Sequence, residues 1–249
     1  MRRSVCTASP SDAGALSPVA SDHRFRWQAH RHEPFSSRLN VMIKILGKST
    51  SINVRKVLWT CAELDLPYEH ERWGEDHKPL SSPEFLSLNP MAQVPVLIDD
   101  DFVTSESNSI IRYLASAYDP SGRLLPQAPR KRAEIERWMD WQATELNNAW
   151  RFPFMHLVRQ HPAWANSERV ESGIRTWTGY MALIDAQLRK TKAFILGGEF
   201  LLADIVIGLS VHRWYSTPID HPQFEAVNDY YALLTTRPGF RAFGRNGIS

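Results

Sequence analysis

The sequence predicts an α/β domain with the element order β-α-β-α-β-β-α, followed by an all-α domain. Three observations support this fold class. An apolar run at residues 41–46 is followed by a helical pattern, a proline stands near the head of a second apolar run at 94–98, and long amphipathic stretches fill the second half of the chain. The predicted domains cover residues 42–120 and 130–249, with a linker at 121–129.

The first domain begins with alternating strand and helix signals. Residues 41–46 form an apolar run that ends at Gly47, which is typical of a buried strand. Apolar residues then recur at helical spacing, namely Val54, Val57, Leu58, Cys61 and Leu64. Residues 67–73 alternate in polarity as a second strand, and residues 83–88 predict a short second helix.

Pro95 is the proline of the second apolar run. Because proline cannot donate a hydrogen bond to a sheet, its position predicts an edge strand, the beginning of a strand, or a cis peptide bond. Three aspartates at 99–101 separate this run from the apolar pair at 102–103, and this pattern predicts a hairpin with an acidic turn.

A third helix is predicted to begin near Ser105. Apolar residues and a tyrosine recur at helical spacing after it, namely Ile110, Ile111, Leu114 and Tyr118. Glu106 and Ser107 therefore fall in the first turn, where free backbone amides bind anionic groups. Plain capping by Ser105, with Glu106 complementing the helix dipole, explains the same residues without a ligand.

The second domain is predicted to be helical throughout. Four helical stretches are expected, over residues 131–159, 167–188, 202–214 and 224–234. The first should bend at Pro153, because proline interrupts the hydrogen bonding of a helix. The third is almost wholly apolar, which predicts a central position in the bundle.

Composition excludes several classes of protein. The chain has 249 residues, of which 43% are hydrophobic and 22% charged, and this balance is typical of a globular protein. Its two cysteines, Cys6 and Cys61, are too few for a disulfide framework or a cysteine metal site, which favours a cytoplasmic protein without a metal. No apolar run approaches the roughly 20 residues that span a bilayer, so no membrane contact is predicted.

Residues 1–41 differ from the rest of the chain. They show little apolar periodicity and carry six arginines against three acids, which predicts a disordered tail or a start codon assigned upstream of Met42. Without them, 23 of the 29 basic residues and 24 of the 27 acidic residues remain. The folded part is therefore near neutral, and no nucleic-acid partner is predicted.

Four segments together carry a family resemblance. They are SINVRKV at residues 51–57, NPMAQVPVL at 89–97, ESNSIIRYL at 106–114 and GGEFLLADI at 197–205. In this order they resemble the soluble glutathione transferases, and the first looks most like the bacterial, theta-like type. The resemblance implies a thioredoxin-like first domain, a helical second domain, glutathione as co-substrate and a homodimer.

The resemblance also implies a glutathione site. Its residues would be Val94, Pro95, Glu106, Ser107, His77 and Lys78. The backbone of Val94 would meet the cysteinyl part of glutathione as an antiparallel strand does. Glu106 would bind the γ-glutamyl ammonium and Ser107 the carboxylate, which agrees with the charge preferences of a helix start. His77 or Lys78 would meet the glycyl carboxylate, although a solvated loop explains them equally well.

The predicted chemistry is formation of the glutathione thiolate. A thiol with a pKa of about 8.5 is only about 3% ionised at pH 7, and lowering its pKa by two units requires about 2.7 kcal/mol. A hydroxyl hydrogen bond from Ser51 and the dipole of the first helix would supply this, with Asn53 as the second candidate and Ser49 or Thr50 as alternatives. Ser51 acting only as a helix cap is the structural alternative. Cys61 lies on the apolar side of the helix and is predicted to be core, which disfavours a mixed-disulfide mechanism.

The electrophile is expected to bind against the second domain. The predicted pocket residues are Trp150, Arg151, Phe154, Met155 and Trp214. Arg151 would attract an anionic substrate or stabilise developing charge, while ordinary core packing is the alternative for this set. Asp204 is predicted to cap the central helix, although Leu201 stands where a capping box needs a hydroxyl.

The sequence thus predicts a detoxifying glutathione S-transferase that joins glutathione thiolate to a small electrophile. Alternatives within enzymes are glutathione-dependent dehalogenation, isomerisation, and peroxide or disulfide reduction. A non-catalytic protein-interaction module of the same fold is the alternative from another class.

Overall fold

The computed structural model of the protein describes residues 43–245. The tail predicted at 1–41 lies outside the described residues, as do the first two residues of the strand predicted at 41–46. The first part of the chain contains, in order, β1 Ile43–Leu46, α1 Ile52–Glu63, β2 Tyr68–Glu71, α2 Pro83–Leu88, β3 Val96–Asp99, β4 Phe102–Ser105 and α3 Ser107–Tyr118. This is the predicted β-α-β-α-β-β-α order, and the predicted fold class is confirmed.

The four strands form one mixed sheet with the order β2-β1-β3-β4. β1 is parallel to β2 and antiparallel to β3, and β3 is antiparallel to β4. Pro95 directly precedes β3, and the Val94-Pro95 peptide bond is cis. Since β3 lies between two neighbours, the edge-strand explanation for Pro95 is wrong, whereas the strand beginning and the cis bond both occur.

The second part of the chain is helical. Its helices are α4 Pro129–Trp141, α5 Asn147–Leu157, α6 Ser167–Thr191, α7 Leu202–Ser216 and α8 Glu225–Thr235. A single helix over 131–159 was expected to bend at Pro153, but a π-helical segment at Gln142–Leu146 interrupts it earlier, and Pro153 lies inside α5. No helix within residues 43–245 is long and apolar enough to cross a membrane.

Helix α7 occupies the centre of the helical part, as its apolar sequence predicts. Thirteen consecutive residues from Leu202 to Trp214 are buried. Asp204 accepts the backbone N–H of Leu201 at 2.9 Å and that of Ile195 at 2.9 Å. Leu201 has no acceptor to complete a capping box, so Asp204 supplies only half of one, and its burial raises the pKa of the carboxyl to about 7.

Helix α1 packs against both parts of the chain. Trp59 contacts the rings of Phe200 and Phe240 in the helical part, with ring centroids 5.6 and 5.1 Å away. Lys56 is 1% exposed, and its Nζ donates to Asn108 Oδ1 at 3.1 Å and to Gln142 Oε1 at 2.9 Å. The buried amino group of Lys56 therefore joins α1 to α3 and to the π-helical segment.

The Lys56 charge gives a pH test of this packing. Burial, with smaller contributions from nearby arginines, lowers the pKa of Lys56 from 10.5 to about 7. Between pH 7 and pH 10.5 the Lys56 side chain holds its proton in the unfolded chain but loses it in the folded chain. The free energy of unfolding should therefore rise with pH in this range. From pH 7 to 9 the contribution is about 2 kcal/mol. Urea unfolding of Lys56→Met should lack this rise, whereas the exposed control Lys190→Met should keep it. If the free energy of unfolding of wild type and of Lys56→Met changed equally with pH, the lowered pKa of Lys56 would be contradicted.

Candidate functional site

The N-terminal ends of α1 and α3 lie side by side. Asn53 is in the first turn of α1, and Ser107 is the first residue of α3. Ser107 is 5% exposed, and its Oγ donates to Asn53 Oδ1 over 3.3 Å. Because the first amides of a helix have no partner within it, two adjacent helix starts create a region favourable for an anion.

Glu106 occupies the N-cap position of α3 with an unusual backbone. Its φ is +67° and its ψ is 108°, in a region that residues other than glycine rarely adopt. Its exposed side chain makes no capping hydrogen bond, and Ser105 belongs to β4 rather than capping the helix. Strained residues of this kind concentrate at ligand-binding positions. Ser105 is not the N-cap of this helix, so that part of the capping alternative is wrong, whereas the charge of Glu106 at the N-cap position still complements the helix dipole.

Val94 presents an open backbone next to the sheet. It lies just beyond the paired residues of β3, and no backbone hydrogen bond of Val94 is found within residues 43–245. Gly47 allows β1 to end close to it, because a Cβ on Gly47 would lie 2.9 Å from Val94 Cβ and 2.6 Å from Val54 Cγ2. The N–H and C=O of Val94 can thus pair with an extended ligand.

A cleft of about 690 Å³ opens at the start of α1. It is lined by Lys48, Thr50, Ser51, Ile52, Glu75, Gln93, Trp150, Arg151, Phe154, Met155, Arg159, His161, Trp164 and Arg213. Five of the predicted site residues are among them. Ser51 is the N-cap residue of α1, yet its side chain makes no capping hydrogen bond. Its hydroxyl can therefore serve a ligand in the cleft.

Eight predicted residues do not line this cleft, namely Asn53, His77, Lys78, Val94, Pro95, Glu106, Ser107 and Trp214. His77 and Lys78 are exposed, and the ammonium of Lys78 pairs with Glu71 and lies over the ring of Trp73. Trp214 is fully buried, with its ring centroid 4.9 Å from that of Trp177. For Trp214 the structure favours the alternative of core packing, since it sits on the inner face of the central helix.

Sequence reasoning missed several charged residues of the cleft. Lys48 and Arg159 both pair with Glu75, and the Arg159–Glu75 distance is 3.8 Å. Arg213 lies in the last turn of α7 and is 3% exposed. A signal for Arg213 was present, because it and Asp204 are the charged residues of an otherwise apolar, buried helix.

Cations surround the inner end of the cleft. Burial lowers the pKa of Arg213 well below its usual range, and the nearby Arg55 and Arg159 lower it further. Burial and Arg159 also lower the pKa of Arg55 to about 10. Arginine nevertheless keeps its proton at neutral pH, so the positive charge persists. This charge favours an anionic ligand or an anionic transition state.

Cys61 is not part of the site. It is fully buried in α1, and burial raises the pKa of its thiol to about 12. A buried, protonated thiol is a poor nucleophile. Within residues 43–245, no group of three or more His, Cys, Asp or Glu side chains is arranged to hold a metal ion.

Comparisons with known proteins agree with this geometry. A family model described as the glutathione S-transferase N-terminal domain matches residues 46–122. Glutathione S-transferase GstB of Escherichia coli is 38% identical over 202 residues, which cover 80% of this chain and 96% of that protein. Glutathione S-transferase 3 of Zea mays is 32% identical over 164 residues, or 65% of this chain and 73% of that protein.

A solved structure is also similar. The theta class glutathione S-transferase of Xanthomonas axonopodis pv. citri, with glutathione bound, matches with a TM-score of 0.77 and 33% identity, covering 84% of this chain and 100% of that one. A thioredoxin-like domain followed by a helical region, with a cleft at the start of α1, is the architecture of the glutathione transferases. The chain belongs to the glutathione S-transferase family, as the sequence motifs predicted.

The buried position of Cys61 can be tested by thiol labelling. In a Cys6→Ser variant, Cys61 is the single thiol of the chain. We expect a disulfide reagent at pH 8 to react with the native variant only as fast as the protein unfolds, and at once in urea. Complete reaction of the native protein within seconds would show an accessible, reactive thiol and contradict the assignment.

Proposed function

We propose that the protein is a glutathione S-transferase in activity as well as in family. The thiolate of glutathione attacks an electrophilic carbon, a carbon–sulfur bond forms, and the leaving group departs with its electron pair. The observation that carries the proposal is the grouping of three features at the start of α1. The Ser51 hydroxyl lines the cleft and makes no capping hydrogen bond, Ser107 at the start of α3 contacts Asn53, and the open backbone of Val94 directly follows the cleft residue Gln93.

Glutathione binding would use the thioredoxin-like domain. The backbone of Val94 would pair with the cysteinyl unit, Glu106 would bind the γ-glutamyl ammonium, and the N–H of Ser107 would bind the carboxylate. Each contact matches charge with charge or donor with acceptor. For the glycyl carboxylate, His77 and Lys78 stay the sequence candidates, and Lys48 on the cleft wall is supported by its position.

Thiolate formation would depend on Ser51. Its hydroxyl would donate to the sulfur, and the dipole of α1 would stabilise the same negative charge. Asn53 stays the second candidate, because its Oδ1 accepts from Ser107 while its Nδ2 amide group keeps its donors. Two pKa units of thiol acidification correspond to about 2.7 kcal/mol, which a charge-assisted hydrogen bond and a helix start can supply together.

The electrophile would bind on the opposite wall of the cleft. Trp150, Phe154 and Met155 provide apolar surface, and Arg151 adds a positive charge at its exposed edge. Such a wall suits a small, partly aromatic molecule. Glutathione is proposed as the only co-substrate, with no metal.

The proposed cellular setting comes from the family and the composition. A detoxifying, cytoplasmic role follows from the family resemblance and the low cysteine content. A homodimer is supported by the same resemblance and by exposed apolar residues of the first part, such as Met91 and Phe102. No membrane or nucleic-acid partner is proposed, because the chain from residue 42 onward is nearly neutral.

Replacing Ser51 tests the chemical role of its hydroxyl. Ser51→Ala should raise the apparent pKa of the bound thiol by about 1 to 2 units, because the thiolate loses a donor. The pH dependence of kcat/KM with a chlorinated dinitrobenzene measures this pKa. The exposed α6 variant Ser172→Ala is the matched control and should match wild type. An unchanged pKa in Ser51→Ala would move the role to Asn53 or to the backbone.

Replacing Glu106 tests the ammonium site. Glu106→Gln keeps the shape but removes the charge, so glutathione should bind about 10-fold more weakly. Calorimetric titration compares it with Glu171→Gln, an exposed α6 variant that should bind as wild type does. The same titration is repeated with glutathione that lacks its amino group. Wild type should bind this analogue more weakly than glutathione, whereas Glu106→Gln should bind the two equally. Equal losses in both proteins would exclude the proposed pairing.

A further inference from the structure

Arg213 is a buried charge on the wall of the cleft. Its side chain lines the cleft, although the residue is only 3% exposed. Its Nε is buried and has no hydrogen-bond partner in the described part of the chain, and none of the ion pairs found there includes it. A buried charge of this kind is rare, because losing water without gaining an acceptor is unfavourable.

Aromatic rings hold this guanidinium in place. Its central carbon lies 4.3 Å from the ring centroid of Trp150 and 4.0 Å from that of Phe154. Both rings belong to the cleft wall on α5. Ring faces and the last turn of a helix stabilise a cation in part, but they do not satisfy its N–H donors.

Nearby charges increase the preference for an anion. Arg55 and Arg159 repel the Arg213 charge, and the carboxylate of Glu75 already pairs with Lys48 and Arg159. A planar carboxylate accepts hydrogen bonds from a guanidinium, and the Nε–H of Arg213 is a donor without an acceptor within residues 43–245. An incoming anion would satisfy those donors and relieve the repulsion between the arginines.

We propose that Arg213 binds a carboxylate of the electrophilic substrate, so that the preferred electrophiles of this protein are organic acids. The proposal rests on the proposed function and specifies its substrate class. The carboxylates of glutathione are served by the thioredoxin-like domain, whereas Arg213, Trp150 and Phe154 all lie on the helical wall. The aromatic rings would contact the apolar part of the substrate while Arg213 holds its charged end.

A pair of substrates that differ in charge tests the proposal. The probes are 4-chloro-3-nitrobenzoate and 4-chloro-3-nitrobenzamide, which have the same shape and the same leaving group. The two groups activate the ring differently, so each enzymatic rate is divided by the rate with glutathione alone. Wild type should then favour the benzoate by about 10-fold or more.

Variants of Arg213 identify the residue responsible. Arg213→Met keeps contact with the rings but removes the charge, and it should lower kcat/KM for the benzoate about 10- to 100-fold and for the amide less than about 3-fold. Arg213→Lys should fall between wild type and Arg213→Met, because it keeps the charge without the planar donors. The exposed α6 variant Arg175→Met is the matched control and should change neither rate.

Two further measurements separate substrate binding from folding. Arg213→Met should unfold at the same or a higher urea concentration than wild type, since a structural ion pair is not lost. Its affinity for glutathione and the pKa of the bound thiol should be unchanged. Equal losses for both probes, or a shifted thiol pKa, would overturn the proposal while leaving the transferase activity intact. Failure of wild type to bind glutathione or turn over either probe would instead overturn the proposed function, and with it this inference.

Discussion

The packing of α1 against both parts of the chain is the constraint on which the site depends. The helix lies next to α3, so that Asn53 meets Ser107, and its far end is held by Trp59 against Phe200 and Phe240. Lys56 ties the middle of the helix to the π-helical segment that follows α4. With both ends and the middle fixed, the N-terminus of α1 is positioned at the cleft.

This arrangement also explains why the cleft has two chemically different walls. The thioredoxin-like wall offers the hydroxyl of Ser51, and the open backbone of Val94 and the start of α3 lie next to α1. The helical wall offers the aromatic surface of α5 and the arginine of α7. Catalysis needs both, because a thiolate must be stabilised on one side while an electrophile is held on the other. A change in the packing of α1 would alter the distance between these walls.

Much of the fold was predictable because local patterns and tertiary contacts agree. The apolar periodicity of α1 and α6 matches their packing, the almost wholly apolar sequence of α7 matches its burial on all sides, and the Val94-Pro95 pair indicates the start of β3. The interruption at Gln142–Leu146 was not predictable. It coincides with the buried contact between Gln142 and Lys56, two residues 86 positions apart, and local sequence does not encode such a contact.

The candidate site was also predictable in part. Ser51, Glu106 and Ser107 follow from the motifs, but the positive φ of Glu106 is a property of the folded backbone that its side-chain type does not suggest. Arg213 was missed because the apolar pattern of α7 predicts a buried helix, and a single arginine does not change that prediction. Its significance appears only when the absence of a partner is seen in the described structure. Functional sites are where such departures from local rules concentrate.

The central claim is that the cleft at the start of α1 binds glutathione, and calorimetric titration of the protein tests it most directly. We expect one glutathione per chain, with a dissociation constant below about 1 mM at neutral pH. S-methyl glutathione should bind less tightly at high pH, because it cannot form the thiolate that the site stabilises. No detectable heat of binding with glutathione at about 10 mM, together with unchanged amide chemical shifts for Val94, Glu106 and Ser107, would contradict the account.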